Sequence, residues 1–191
     1  MIKIGLVGED PNDTTSIKNL LLQKFGEQVN FITLIKNKRG FQLDNLNTYR
    51  SLKIEFSTKK PDYVLFIRDA DAIFTETNKI KARSRWFGKM LSAVNDKGIL
   101  LMNIFELEAL ILADIETFNK IFSVNINYAK NVMYEKDPKE FLIQKTFKSQ
   151  RTFSENDCPE IFSKLSVDQV CKNCRYFRDF LDHFTNLVGK H

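Results

Sequence analysis

The stretch PDYVLFIRDADAIF, from Pro61 to Phe74, combines the two features that decide how this chain folds. Residues 63–67 are apolar or aromatic and β-prone, which predicts a strand buried on both faces. Two carboxylates, Asp69 and Asp71, follow one residue apart where that strand should end. Alternate residues of an extended chain point to the same side, so these two carboxylates are placed to share one ion.

Three other segments have the same strand-like composition: residues 2–7 (IKIGLV), 29–35 (VNFITLI) and 99–104 (ILLMNI). Helix-like segments lie between the strands: one begins near Asn12 or Asp13, and two others cover about 43–56 and 78–94. A further helix is predicted from Phe105 to Asp114, directly after the fourth strand. Buried strands that alternate with helices predict an α/β domain with a mostly parallel central sheet flanked by helices.

The last third of the chain lacks the strand pattern and predicts a small C-terminal helical extension. Asp137 is placed as a helix cap, with Pro138 at the first helical position and Glu140 completing a capping box. We expect residues 1–125 to form the α/β domain. Residues 126–191 should form helices that pack on the same domain without being independent of it.

The composition limits the classes of protein to which this chain can belong. Its 191 residues are 43% hydrophobic and 28% charged, which excludes a disordered chain. No apolar run is long enough for a membrane span, and no secretory signal pattern is present. Three cysteines argue against a disulfide framework, so we expect a cytoplasmic protein. The net charge of +5 is compatible with a polyanionic partner.

Common catalytic motifs are missing. The chain has no P-loop, no G-x-G-x-x-G and no G-x-S-x-G motif, which argues against ATP hydrolysis, dinucleotide binding and an α/β-hydrolase. It has only two histidines, so we do not expect histidine-based catalysis.

Acidic residues follow three of the four predicted strands: Glu9, Asp10 and Asp13 after the first, Asp69 and Asp71 after the third, and Glu106 and Glu108 after the fourth. Functional groups of open α/β sheets gather at the carboxyl ends of the strands. Mg²⁺ prefers carboxylate and other hard oxygen ligands, and a pair of such ions can hold both reacting oxygens of a phosphoryl transfer. For any one of these acids taken alone, an ordinary turn or helix cap remains the alternative.

This arrangement resembles the Toprim fold, in which a glutamate ends the first strand and D-x-D ends a later one. Topoisomerases, bacterial primases and the nucleases named for the overcoming-lysogenization-defect system share that fold. More closely, the chain resembles a family of about 200-residue bacterial Toprim-like proteins that often accompany an ATPase. The segments that carry this resemblance are GEDPNDTTSIKNLL, YVLFIRDADA, ELEALILAD and NCRYFRDFLDHF.

The resemblance implies roles for individual acids. Glu9 matches the Toprim glutamate, a metal ligand or general acid/base, and Asp69 and Asp71 match the metal-binding pair. Asp13 matches an acid that Toprim nucleases place on the first helix, and Glu108 matches the glutamate of an E-A-x-x-L-A-D segment. Together these residues would hold one or two Mg²⁺ or Mn²⁺ ions.

Two positions qualify this set. In Toprim proteins a glycine usually follows the glutamate, whereas here the order is Gly8-Glu9-Asp10, so the aim of Glu9 can differ. If Glu106 and Glu108 are helical, they lie about 200° apart around the axis and cannot both face one site. The resemblance favours Glu108.

Phosphoryl transfer also needs cations beside the metal. Arg68 adjoins the D-x-D, and Lys139 and Lys145 lie on a later helix. The resemblance places a lysine around DPKEFL, which makes Lys139 the first choice for the catalytic cation, and an exposed helix lysine is the alternative. A basic cluster after the second strand could track a nucleic-acid backbone through Lys36, Lys38 and Arg39. The segment KIKARSR, residues 79–85, could do the same, and a solvated face is the alternative for both clusters.

Cys158, Cys171, Cys174 and His183 are the ligand types of a Cys₃His zinc site. Cys174 belongs to the apolar stripe of the last predicted helix, and buried reduced cysteines are common, so the pattern disfavours zinc.

The sequence therefore predicts a metal-dependent nuclease. DNA is the default substrate, and structured RNA such as tRNA is the alternative. The resemblance adds a partner ATPase and a bacterial defence role, and the oligomeric state stays open. The rival hypothesis is a non-catalytic Toprim-like subunit that binds a partner protein or nucleic acid.

Overall fold

The structure, a computed structural model, describes residues 1–35, 38 and 40–189. Its four strands are β1 (Ile2–Val7), β2 (Val29–Thr33), β3 (Tyr63–Asp69) and β4 (Gly98–Asn103). All neighbouring strands are parallel, and their order across the sheet is β2-β1-β3-β4. The predicted α/β class with a parallel central sheet is therefore confirmed.

Ten helices accompany the strands in the described part of the chain. They are α1 (Pro11–Phe25), α2 (Gly40–Leu43), α3 (Leu46–Lys59), α4 (Thr77–Leu91), α5 (Ala109–Ala113), α6 (Ile115–Phe122), α7 (Pro138–Thr146), α8 (Cys158–Phe162), α9 (Val167–Asn173) and α10 (Arg175–Val188). Short 3₁₀ turns occur at Ser92–Val94, Val132–Tyr134 and Glu155–Asp157. Among the described residues, none of these helices combines the length and apolar character that a membrane span needs.

The helices cover both faces of the sheet. On one face, β-strand side chains such as Ile4 and Leu101 share a hydrophobic core with α1, α5, α6 and α8–α10. On the other face, Val64 and Phe66 pack with α3 and α4. The C-terminal helices join the first core directly, since the ring of Phe184 on α10 lies 5.1 Å from that of Phe25 on α1. The C-terminal helical segment thus completes the core of the sheet domain.

The helices predicted at about 43–56 and 78–94 are found at Leu46–Lys59 and Thr77–Leu91, and three helix starts near the cleft differ from the prediction in their position or cap. The cap of α1 is Asp10, whose carboxylate accepts the backbone N–H of Asn12, and not Asn12 or Asp13. At α7, Pro138 takes the first turn as predicted, but Asp137 makes no side-chain cap bond, so the predicted capping box is absent there. The third difference lies after β4.

The predicted helix from Phe105 to Asp114 is wrong at its start, because residues 104–108 form a turn. Phe105 has a positive φ of 55°. Its backbone N–H donates to the carbonyl of Ala72, and its carbonyl accepts the N–H of Asp71. These bonds tie the segment after β4 to the segment after β3, so the helix begins only at Ala109.

Candidate functional site

An acidic cleft of about 210 Å³ lies at the carboxyl edge of the sheet. Its lining comes from the ends of β1, β3 and β4, from the first turn of α1, and from α2, α7 and the start of α8. The lining residues are Glu9, Asp10, Asn12, Asp13, Gly40, Asp69, Glu106, Glu108, Lys139, Glu155 and Cys158. Four of the five predicted metal ligands therefore share one cleft, together with the predicted catalytic lysine.

Asp69 is the last residue of β3 and is held from the neighbouring strand. Asn103 ends β4 in register with it, and the amide nitrogen of Asn103 donates to Oδ1 of Asp69 over 2.9 Å. Asn103 is itself buried, and its side-chain oxygen has no hydrogen-bond partner within the described residues. The sheet register thus fixes one oxygen of Asp69 and leaves a buried acceptor beside it.

Glu9 lies against Arg68, whose side chain is only 1% exposed. Oε1 of Glu9 is 3.0 Å from Nε of Arg68, although in the described structure neither atom has a partner with hydrogen-bond geometry. Arg68 also holds Asp44 through two nitrogens at 3.0 and 3.1 Å and donates to the carbonyl of Gly40. Its guanidinium stacks 4.4 Å from the Trp86 ring. Since Arg68 is buried and its donors already face these groups, it does not present the phosphate-binding surface that the sequence suggested.

Asp71 takes a different direction from Asp69. It has a positive φ of 49°, so the two residues are not alternate positions of one extended strand. Its carboxylate forms an ion pair with Arg83 of α4, and Arg83 also lies 4.0 Å from Asp44. The structure therefore turns Asp71 toward α4, away from the described lining of the acidic cleft.

A chain of alternating charges results, and it runs from Glu9 through Arg68, Asp44 and Arg83 to Asp71. The sequence analysis missed Asp44, which lies 24 residues from Arg68. The only available signal was an acid after the basic segment, and sequence spacing gives no indication of which cation it meets.

Glu106 and Glu108 both line the cleft. The expectation that these two residues cannot face one site holds only if both are helical, and both lie in the turn before α5. Glu108 is buried, whereas the side chain of Glu106 is a quarter exposed and lies 3.6 Å from Nζ of Lys139.

Lys139, on the first turn of α7, reaches the cleft as predicted. Its ammonium donates to Glu155 over 2.6 Å. The hydrogen bond to Glu155 and the charge of Glu106 raise the pKa of Lys139 above its ordinary value, although partial burial opposes the shift. Lys139 is therefore cationic throughout the neutral range. Glu155, which the sequence analysis did not select, is its main partner.

Burial raises the pKa of several carboxylates in the cleft above their ordinary values. Burial, followed by the charge of Glu108, raises the pKa of Asp13 to about 7. Burial also raises the pKa of Glu108 to about 7, with a further contribution from Glu106. For Asp69, burial and the charge of Asp13 raise the pKa well above its ordinary value. Burial raises the pKa of Glu9 too, although Arg68 opposes that shift.

The clustered carboxylate oxygens of this site are the ligands that a hard divalent cation prefers, and a bound cation would relieve their mutual repulsion. Their present arrangement is looser than a formed metal site, because no group of three or more His, Cys, Asp or Glu within residues 1–35, 38 and 40–189 is placed to hold an ion. Mg²⁺ takes only one or two carboxylates and completes its shell with water. The residues therefore fit an ion with few protein ligands.

The remaining predicted residues lie elsewhere. Lys145 is in the last turn of α7, 5.5 Å from the ring of Phe141. Lys38 is half-buried and does not belong to the described lining of the cleft, and Lys36 and Arg39 lie outside the described residues. Of the cysteines, Cys158 lines the acidic cleft, Cys171 is on α9, and Cys174 precedes α10.

The comparison with known protein families matches residues 8–185 to a family described as a domain of unknown function, DUF4276. The chain belongs to this family. The matched region covers the whole acidic cleft, from Glu9 to Cys158, and most of α10. No curated protein and no solved structure matches the chain.

Proposed function

We propose that this protein is a metal-dependent nuclease whose active site is the acidic cleft. The observation that carries the proposal is the meeting of Glu9, Asp13, Asp69, Glu106 and Glu108 in one cleft at the carboxyl edge of a parallel sheet. These acids come from separate segments of the chain, and they bring more negative charge than Lys139 alone can balance.

One or two of the carboxylates of Asp13, Asp69 and Glu108 would hold Mg²⁺ or Mn²⁺, with water completing the shell. Glu9 and Asp71 would join them only after giving up their arginine partners, Arg68 and Arg83. Such an ion, when bound, neutralises charge on a phosphodiester and lowers the pKa of water.

The residues of the chain supply the remaining functions. A carboxyl group of the cleft that does not bind the ion can accept a proton from water, which suits Asp13 or Glu108, whichever is left off the ion, as a general base. Lys139 is the cation placed to hold a phosphate oxygen, in exchange for its bond to Glu155.

The resemblance to Toprim-like proteins supports the wider context of the proposal. It suggests a cytoplasmic effector of a bacterial defence system that works with a partner ATPase. DNA is the default substrate and structured RNA the alternative, because none of the cleft residues suggests a way of reading bases.

A second candidate function is a non-catalytic subunit that binds a partner protein or nucleic acid. The ion pairs of Glu9 and Asp71 with arginines favour it, because they hold two of the expected metal ligands away from any shared ion.

The experiment is a cleavage assay on duplex DNA and structured RNA with Mg²⁺ or Mn²⁺, using native protein and the Asp69→Asn variant. We expect metal-dependent cleavage that Asp69→Asn lowers at least about 100-fold, as typical for loss of a central catalytic group. Asp182→Asn, an exposed change on α10, is the matched control and should retain activity. Equal cleavage by native protein and Asp69→Asn would reject the nuclease and favour the non-catalytic subunit.

A further inference from the structure

One helix of the structure, α4, is strongly basic. The 15 residues of α4 contain no Asp or Glu and five basic residues: Lys79, Lys81, Arg83, Arg85 and Lys89. The chain has 29 basic and 24 acidic residues, so outside α4 the 24 remaining basic residues are balanced by 24 acids. The formal charge of α4 is therefore as large as the net charge of +5 of the whole chain.

Three of these cations form an exposed stripe. Lys81, Arg85 and Lys89 follow one another at intervals of four residues, which places them on one face of the helix about 6 Å apart along its axis. All three are exposed, and none of them forms an ion pair with a carboxylate in the described part of the chain. They can therefore meet an external anion without first breaking an internal contact.

The side chains on the other side of α4 pack against the rest of the protein. Trp86 and Met90 are buried in the core beneath the helix. Near the beginning of α4, Lys79 donates to the carbonyl of Asp71, and Arg83 pairs with the carboxylate of Asp71. The basic helix thus starts beside the carboxyl edge of the sheet and carries its free cations away from that edge.

The exposed face of α4 suits a phosphate backbone better than a protein or a membrane. A surface groove along it is lined by Asn78, Lys81, Ser84 and Arg85, all of them polar. Protein interfaces are built around apolar anchors, and membrane-surface helices expose aromatic or aliphatic side chains. The large apolar residues of α4 face the core, whereas charge-based contacts to phosphates need only accessible cations.

We propose that the stripe Lys81, Arg85 and Lys89 on α4 binds the phosphate backbone of a nucleic acid, which would be the substrate of the acidic cleft. The substrate half of this inference rests on the proposed function. The binding surface does not, since it concerns residues outside the cleft. Recognition through the stripe is independent of base sequence, because phosphates carry no sequence information.

The test measures binding without cleavage. Native protein and the triple variant Lys81→Ala/Arg85→Ala/Lys89→Ala are titrated onto fluorescein-labelled duplex DNA and structured RNA in EDTA, across a series of salt concentrations. Each phosphate contact contributes about 0.9 to the slope of log affinity against log salt on duplex DNA. We expect the triple variant to lower the slope by about 2 to 3 and to weaken binding at least about 10-fold at ~0.1 M salt.

A matched control removes the same charge elsewhere. Lys53, Lys148 and Lys172 are exposed and belong to elements other than α4. Their triple alanine variant has the same net charge as the stripe variant. Near-native binding by this control supports the stripe. Equal losses in both triple variants, native-like binding by the stripe variant, or no binding by native protein each overturns the proposal. Stripe-dependent binding to phosphatidylserine vesicles without binding to either nucleic acid also overturns it.

Failure of this inference is distinguishable from failure of the proposed function. If the stripe variant binds and cleaves like native protein, the nuclease stands and the role of α4 is rejected. If binding depends on the stripe but native protein cleaves nothing with Mg²⁺ or Mn²⁺, the binding surface stands and the nuclease is rejected. Thermal unfolding of each variant confirms that it is folded.

Discussion

Nε of Arg68 lies 3.0 Å from Oε1 of Glu9, and the same guanidinium holds both oxygens of Asp44. A buried arginine thus connects the first candidate metal ligand to the loop that precedes α3. Because Arg68 is only 1% exposed, its charge is stable only with these partners in place. The position of the Glu9 side chain therefore depends on Arg68 and Asp44, which do not line the cleft themselves.

Replacing Arg68 by Met should destabilise the protein. The substitution leaves Glu9 and Asp44 without their shared cation, and loss of one partner of a buried pair costs about 3–5 kcal/mol. Since Asp44 is about half exposed, we expect a loss below that range, about 2–3 kcal/mol. Urea unfolding monitored by circular dichroism measures it. Arg178→Met, an exposed change on α10, is the control, and a loss below about 0.5 kcal/mol for Arg68→Met would contradict the role of Arg68.

Gly40→Ala should displace the Glu9 carboxylate with little effect on stability. A Cβ at Gly40 would overlap Oε2 of Glu9, and this flexible side-chain end can move aside. We expect a change of less than about 1 kcal/mol in the free energy of unfolding, together with a clear loss of any activity that depends on Glu9. Gly88→Ala on α4 is the matched control, because its Cβ would meet nothing within 4 Å. Unchanged activity in Gly40→Ala would show that the aim of Glu9 does not matter.

The acidic cleft should make the metal-free protein less stable as pH rises. Burial raises the pKa of Glu108 to about 7, above the value of an unfolded glutamate, so the folded state holds this proton more tightly. Its stabilising contribution is fully present below pH ~4 and is lost as pH rises through about 7. The slope is about 1.4 kcal/mol per pH unit for each proton of difference.

This pH dependence is measured by denaturant unfolding in EDTA between about pH 5 and pH 8, a range that brackets the raised pKa values. The Glu108→Gln variant lacks the titrating group, so native protein should lose stability relative to it as pH rises. Parallel pH profiles for the two proteins would show that Glu108 titrates as an ordinary glutamate.

Asp13→Asn should separate repulsion in the cleft from metal binding. Burial and the charge of Glu108 raise the pKa of Asp13, so removing its charge should raise the unfolding temperature at pH ~8 in EDTA. In native protein, Mn²⁺ at about 100 times its dissociation constant should add about 2.7 kcal/mol of stability. The Asp13→Asn variant should gain less from the ion. Asp182→Asn should match native protein in both conditions, and an equal Mn²⁺ effect in Asp13→Asn would remove Asp13 from the candidate ligands.

The amino-acid sequence by itself determined the four strands, with each end located to within two residues. The apolar runs at β1, β3 and β4 need burial on both faces. This local requirement located most ends of these three strands to within about one residue. Once the sheet is parallel, the carboxyl ends of its strands must share one edge. The meeting of Glu9, Asp69 and Glu108 follows from that constraint.

Only the tertiary structure decided which partner each charged side chain meets. Arg68 finds Asp44 across 24 residues of chain, and the backbone of Asp71 pairs with that of Phe105 across 34. The latter bond holds the segment after β4 as a turn, which brings both Glu106 and Glu108 into the cleft. The spacing of apolar residues along the sequence indicates which positions are buried, because burial repeats with the geometry of the helix or strand. The choice among several buried or nearby charges depends on distances between segments that no local pattern contains.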